Sequence, residues 1–328
     1  MDILEAALRQ AVGADAIIFA LAAIGLNVHF GYTGLLNFGQ AGFMAMGGYG
    51  LAATVSTFGL PFWAGILVGL AATAVLALLL GAPTLRLRAD YLAIVTIAAA
   101  EMIRLTVGSV TLRQWFGGRD GLQQFTGGFR DLNPFQGSTG FGPLTYRDYD
   151  AWVIVVGWGL VALSCLVVWM LMRSPWGRVL KSIREDEDAV RSLGKNVYSY
   201  KMQSLVIGGM IGCLAGFMTG LRQSATNPDD YFTEVTFFAY TVLILGGAAR
   251  VLGPVVGSIL FWFLINALGG FFGWATAGAD PLIPSWLMTQ NQASLVRFII
   301  MGLALMLLMI YRPQGLLGDR KELALDAR

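Results

Sequence analysis

The chain has 328 residues, 56% of them hydrophobic and only 13% charged, where soluble domains run at about 45–50% and about 25%. That balance excludes a soluble globular domain and a basic nucleic-acid-binding protein, and it points to a chain that lives in a bilayer. The net charge of +2 says little; its distribution along the chain says more.

The opening residues, MDILEAALRQ, lack a basic leader, and nothing near Gly25 resembles a small-residue cleavage site, so no removed signal peptide is expected. From Ala16 to Leu85 there is no Asp, Glu, Lys or Arg, and at about 20 residues per span that run holds three crossings. Within it, GYTGLLNFGQAGFMAMGGYG at 31–50 carries Gly31, Gly34, Gly39, Gly42, Gly47, Gly48 and Gly50. Each glycine costs a helix interior about 1 kcal/mol relative to alanine. Two readings follow: tight helix packing, or a discontinuous helix beside a solute path. In the second, Asn37 and Gln40 offer amides to a solute and Gly42 lets it pass close to the backbone. A segment that turned back here would change the span count and move the N-terminus to the other side. His29, the only histidine, reads as a hydrogen-bonded core residue.

Residues 91–107 form a further span containing Glu101 and Arg104, three apart on one helical face, either a structural pair near the outer end or a vestibule site. The segment 108–150, including FGGRDGLQQFTGGFRDLNPFQGSTGFG, is a long outer loop without clear periodicity. Apolar runs at 151–172, 202–221, 235–249, 251–279 and 298–311 complete the spans. The expectation is a single transmembrane domain over 1–328, all-α and polytopic, with nine transmembrane helices (eight to ten), one of them discontinuous in the second reading above. Cys165 and Cys213 lie in apolar runs as small packing residues.

Loop charge orients the chain, because cytoplasmic loops concentrate Lys and Arg. Alternating sides from residue 82, one side receives 14 basic residues (Arg86, Arg88, seven in 173–201, Arg250, and four in the tail 312–328) and the other receives seven. Segment 173–201 and the tail are therefore expected in the cytoplasm, and loop 108–150 and the N-terminus outside.

RSPWGRVLKSIREDEDAVRSLGKN at 173–196 holds ten of the 42 charged residues. Ser182 followed by Glu185 has the capping-box spacing, and Glu185, Asp186, Glu187 and Asp188 crowd a first turn where the helix dipole favours acids. Arg191 falls in the last turn, and Gly194 stands where a left-handed cap is wanted. The expectation is a short cytoplasmic helix carrying Ile183, Val190 and Leu193 as an apolar stripe and held by docking.

Asp188-Ala189-Val190, three residues, then Gly194 resembles the "EAA, three residues, G" coupling motif of ATP-binding-cassette import permeases. The whole RSPWGRVLKSIREDEDAVRSLG stretch is similar to LivM-type permeases of branched-chain amino acid import systems. GYTGLLNFGQAGFMAMGGYG, LRLRADYLAIVTIAAAEMIRL (85–105), LGGAARVLGPVVGSIL (245–260) and YRPQGLLG (311–318) extend the resemblance from Gly25 to Gly318. Asp188 and Val190 stand where the motif has Glu and Ala, and Phe116 where the family has Thr.

The resemblance implies a subunit that passes branched-chain or related small amino acids inward by alternating access. It implies a second, LivH-like permease as heterodimer partner, two cytoplasmic ATPase subunits and an extracytoplasmic solute-binding protein, with loop 108–150 in the surface that meets the last. It places Ile183, Glu185, Asp186, Glu187, Asp188, Ala189, Leu193 and Gly194 against an ATPase. Relatives that carry urea or short amides leave the solute open.

No Gly-x-x-x-x-Gly-Lys-Ser/Thr loop occurs, so energy is expected from another subunit, and no enzyme active site, metal or cofactor is expected. The rival class, an ion-coupled secondary transporter, needs ionisable or unwound polar groups at mid-membrane in two related helices. Only Glu101 and Arg104 qualify, without a counterpart in the second half.

Overall fold

The computed structural model describes residues 2–86, 89–135, 137, 139–141, 144–276, 283, 289–312 and 314–318. In chain order it begins with α1 (Asp2–Ala11), α2 (Ala14–Leu26), a wide π-helical segment (Asn27–Tyr32), α3 (Gln40–Ser56), α4 (Phe62–Thr84) and α5 (Ala89–Val107). Short α6 (Arg113–Phe116), β1 (Leu122–Gln123), α7 (Gly127–Arg130), β2 (Thr139–Phe141) and β3 (Leu144–Tyr146) follow. Then come α8 (Asp148–Arg173), α9 (Pro175–Glu185), α10 (Glu187–Ser192), α11 (Val197–Gln223) and β4 (Ala225–Thr226). The chain closes with α12 (Thr233–Gly246), α13 (Gly253–Thr276) and α14 (Gln290–Tyr311).

Each expected apolar run carries a helix, although 34–39 and 247–252 are not helical and residues 277–279 lie outside the described residues. Five stretches among the described residues, Ile3–Tyr32, Phe62–Thr84, Asp148–Arg173, Val197–Gln223 and Gly253–Thr276, are long and apolar enough to cross a membrane, and Thr233–Gly246 and Leu295–Tyr311 are shorter apolar helices. The protein is an all-α polytopic membrane protein to which two short antiparallel pairs, β1 with β4 and β2 with β3, have been added.

Burial sorts the helices. The apolar window of α11 is 78% buried and that of α13 only 22%, so α2, α3 and α11 form the centre. The outward faces of α4, α8 and α14, with Leu67, Leu79, Leu166, Met170, Ile299 and Ile310, are left for lipid. Small residues let the central helices touch. A Cβ built on Gly216 in α11 falls 1.9 Å from the Met44 carbonyl of α3, a distance no side chain tolerates.

Two ends can be told apart. At one, which we call the loop end, the segment after α5 packs as a cap. Phe125 and Phe129 are buried, Trp152 Nε1 donates to Phe129 O at 3.1 Å, and Tyr146 OH donates to Arg9 O at 2.7 Å. The N-terminal helix therefore sits at the same end as this loop. The other, basic end carries α9, α10, and the turns before α3 and after α12. There residues 314–318 fold back on α12: Leu316 N–H donates to Leu245 O at 3.1 Å and Leu317 N–H to Gly246 O at 3.0 Å. These are among the last carbonyls of α12, which its own helix leaves open. Tail residues 319–328 lie outside the described residues.

Candidate coupling face and broken-helix core

The charged stretch folds as two helices rather than one. Pro175 occupies the first turn of α9, where a missing N–H costs nothing. Ser182, whose spacing to Glu185 imitates a capping box, lies inside α9 with its hydroxyl donating back to Arg178 O at 3.1 Å. The chain then breaks at Asp186, extended at φ −153° and ψ 102°. Asp186, not Ser182, caps the second helix: its Oδ1 accepts from Ala189 N at 2.9 Å. The acid run thus spans a C-terminus and an N-terminus, with Glu185 at the end of α9 and Glu187 and Asp188 in the first turn of α10.

Arg191 closes that helix by pairing with Glu187 at 2.9 Å and Asp188 at 3.1 Å. Glu187 also pairs with Lys201 of α11. Gly194 ends it at φ +75°, the left-handed conformation that glycine adopts without strain.

Of the expected apolar stripe, Ile183 and Val190 are buried with Leu180 and Val197. Leu193 departs from it: the break and the unwinding after Ser192 turn it outward, and it is 80% exposed. Ala189 is also exposed. The apolar group presented to solution at the tip of this segment is Leu193, flanked by exposed Asp188 and Arg191.

The glycine-rich stretch turns out to be broken as well as tightly packed. α2 passes into the π segment, the backbone is unwound from 34 to 39, and α3 starts afresh at Gln40. Gln40 Nε2 lies 3.3 Å from Ala22 O and 3.4 Å from Gly208 O, so α3 begins beside the interior of α2 and not beyond its end. The chain still runs back toward the loop end, because Thr57 beyond α3 donates to Trp115 O at 3.0 Å.

A helix start buried there leaves open amides, and side chains satisfy them. Gly39 N donates to Asn37 Oδ1 at 2.9 Å, Phe38 N to Thr96 Oγ1 at 3.1 Å and Ala41 N to Thr236 Oγ1 at 2.9 Å. His29, fully buried, donates through Nε2 to Leu205 O at 3.1 Å and accepts through Nδ1 from Asn37 Nδ2 at 3.0 Å. Asn37 Nδ2 also lies 3.3 Å from Gln40 Oε1, and Tyr240 OH donates to Asn37 O at 2.9 Å.

Asn37 and Gln40 are thus engaged internally and enclosed. Gly42 packs on α5, a Cβ built there falling 3.0 Å from Ala100 Cα. Glu101 pairs with Arg104 at 2.5 Å, and Arg104 reaches Asp229 at 3.5 Å, toward the loop end of α5.

Sequence reasoning missed the π segment and the contacts that gather on it. Asn27 accepts from Ala249 N at 2.9 Å through Oδ1 and donates from Nδ2 to Arg250 O at 2.8 Å, clamping the turn after α12. Arg184 Nη1 donates to Gly31 O at 2.6 Å, joining α9 to the same segment. The available signal was the recurrence of Asn27, His29, Thr33, Asn37 and Gln40 within a run devoid of charge: polar groups in such a run need partners inside the protein.

A bundle of apolar helices with a broken central one, a polar seam at the break and a charged helical hairpin at one end defines a polytopic membrane protein of the permease kind. The chain belongs to the branched-chain amino acid transport system / permease component family, whose model matches residues 10–309. It is 30% identical to the high-affinity branched-chain amino acid transport system permease protein LivM of Escherichia coli (strain K12), over 92% of this chain and 68% of that protein. The LivM protein of Salmonella typhimurium gives the same 30%, with the same 92% and 68% coverage. The probable branched-chain amino acid transport permease protein LivM of Methanocaldococcus jannaschii is 24% identical over 92% of this chain and 91% of its own length. By family the chain is a permease component and not a catalytic subunit.

Proposed function

We propose that this chain is one of two permease subunits of an ATP-driven importer and carries branched-chain or related small amino acids inward by alternating access. Its partners in this reading are a LivH-like permease, two cytoplasmic ATPases and an extracytoplasmic binding protein that docks on the loop end. The observation that carries it is the pair α9–α10. It is capped at its break by Asp186, closed by Gly194, braced to the bundle by Lys201, and exposes Leu193. A braced helical hairpin transmits a partner's rigid-body movement where a loose loop would dissipate it.

The basic end faces the cytoplasm in this reading, which the excess of Lys and Arg there supports. The moving part is the unwound stretch before α3, since irregular backbone inside a membrane protein is tolerated only where protein encloses it or a cavity adjoins it. Asn37, Gln40 and Gly42 then border the path in another conformation, when their present bonds are exchanged, and Glu101 with Arg104 is a structural pair near the outer end, with a vestibule site as the alternative reading. The ionisable pairs Asp15–Arg222 and Glu101–Arg104 both sit toward the loop end and are both internally compensated. That placement speaks against ion coupling at mid-membrane.

The test is reconstitution with the two ATPases and the second permease in proteoliposomes. Binding-protein-dependent, ATP-dependent uptake of leucine, isoleucine or valine is the expected result. Uptake of urea or short amides in preference would reassign the solute, and uptake driven by an ion gradient without ATP would overturn the reading.

A further inference from the structure

We infer that Arg184 is the positioning residue through which movement of α9 reaches the broken helix, gripping the end of the π segment and the first unwound residues together. This rests on the reading of α9–α10 as the face that meets the ATPase.

The grip has two parts. The guanidinium donates to Gly31 O at 2.6 Å, a charge-assisted bond to a carbonyl at a helix end, where the helix itself supplies no partner. The aliphatic stem lies on Gly34, which stands at φ +72°; a Cβ built there comes within 3.3 Å of Arg184 Cγ. One turn earlier on α9, the Lys181 ammonium lies 5.9 Å from the centre of the Tyr32 ring, so the same face of α9 follows the segment residue by residue.

The rest of the hairpin is attached elsewhere. At the start of α9, Trp176 Nε1 donates to Gln203 Oε1 of α11 at 2.7 Å, and α10 is tied to Lys201 of α11 through Glu187. Trp176 and Arg184 are two turns apart, about 12 Å along a helix at 1.5 Å per residue. The hairpin is thus held on α11 at Trp176 and again at Glu187, and between those two anchors Arg184 reaches the break. A cleft of about 270 Å³, lined by Thr33, Gly34, Leu35, Ile183, Arg184 and Glu187 among others, lies between this end of α9 and the bundle and gives it room to move.

From Gly31 and Gly34 the route into the core is short. Leu35 N donates to His29 O at 2.9 Å, and the His29 ring holds Asn37, whose side chain accepts from Gly39 N just before α3. A shift of the 31–35 backbone is thus delivered to the seam that fixes where α3 begins. π-helical segments concentrate at such functional irregularities, and this one is held from two sides, by Arg184 and by the Asn27 clamp on residues 249 and 250.

The experiment uses the full reconstituted complex. In a background carrying Cys165→Ser and Cys213→Ala, Leu36→Cys places a thiol at a half-buried site in the unwound stretch, and its rate of maleimide labelling is compared with and without vanadate-trapped nucleotide. A rate that changes on trapping is expected. Arg184→Ala should abolish that change and lower uptake by about tenfold or more, within the usual range of coupling between sites, while both ATPases co-purify and hydrolysis continues. Arg184→Lys, which keeps a charged donor, should recover part of the response. Gly34→Ala, which presses on the stem from the other side, should reproduce the loss of response while Arg184 itself is intact. The inference is overturned if Arg184→Ala leaves uptake and the nucleotide-dependent labelling unchanged, if it releases the ATPases, or if position 36 ignores nucleotide in the parent complex. A parallel cross-link from Leu193→Cys to an ATPase subunit separates the two claims. If the cross-link forms and Arg184→Ala is silent, this inference alone fails; if no cross-link forms, the coupling reading fails and takes this one with it.

Discussion

Leu193→Ala isolates what the tip of the charged hairpin does. The side chain is 80% exposed, while Ile183 and Val190 on the same hairpin are 4% and 6% exposed. Shortening Leu193 therefore removes almost nothing from the packing of the permease, and its effect on folding should stay within about 0.5 kcal/mol, as for ordinary surface changes. If that leucine enters a groove on an ATPase, burying it contributes about 2 kcal/mol. Losing it weakens association roughly 30-fold for complete burial and about tenfold for partial burial. The assay is titration of purified ATPase onto permease heterodimers held in lipid nanodiscs, read by a fluorescent label on the ATPase. Ile183→Ala is the contrasting variant: it opens a hole among Leu180, Val190 and Val197 and should cost about 2–4 kcal/mol of local stability, lowering the amount of assembled protein. Binding by Leu193→Ala within twofold of wild type would refute the assignment of this tip as the docking knob.

Gly194→Val meets open space but is forced to φ +75°. That should cost about 1–3 kcal/mol and fray α10, with hydrolysis no longer stimulated by loaded binding protein, whereas Gly194→Asn should stay near wild type. Asn27→Ala leaves the buried amide of Ala249 without its acceptor and should lower thermal stability in detergent by about 1–3 kcal/mol. Glu101→Gln loosens the bond to Arg104 and should reduce assembled protein without changing the ranking of transported solutes; a changed ranking would move the pair into the path. Thiols introduced at Ser192 and Val110, both exposed, should be labelled only from the cytoplasm and only from outside, respectively, and the reverse pattern would invert the orientation read from loop charge.

The apolar helices were legible because bilayer chemistry leaves a long-range mark: a charge-free run from Ala16 to Leu85 has no other economical explanation. Gly194 was legible because the residue type and the backbone it permits are nearly the same fact. The start of the charged hairpin was misread because the spacing of Ser182 and Glu185 is satisfied equally well inside a helix, where a serine hydroxyl returns to the preceding turn. The true start, marked by Pro175, lies seven residues, about two turns, ahead of that motif. The break at Asp186 has no local signature, since a run of four acids suits one helix start as well as a cap between two helices; the partners on either side of it, Lys201 for Glu187 and Val197 for Ile183 and Val190, come from α11. The seam at the broken helix was visible only as scattered polar residues. Which partner each would find, Thr96 for Phe38 or Thr236 for Ala41, depends on helices that meet only in the folded protein.

The strap formed by Leu316 and Leu317 on the end of α12 sets an order for biosynthesis. A ribosome finishes α12 and leaves the carbonyls of Leu245 and Gly246 open, and two further membrane helices must emerge before the residues that close them exist. Until then water at the interface or the insertion machinery has to solvate those groups, because hydrocarbon offers them nothing. The last stretch of translation thus acts as a seal on a helix made long before it, and a chain cut short ahead of residue 314 would carry an unfinished α12 for quality-control proteases to recognise.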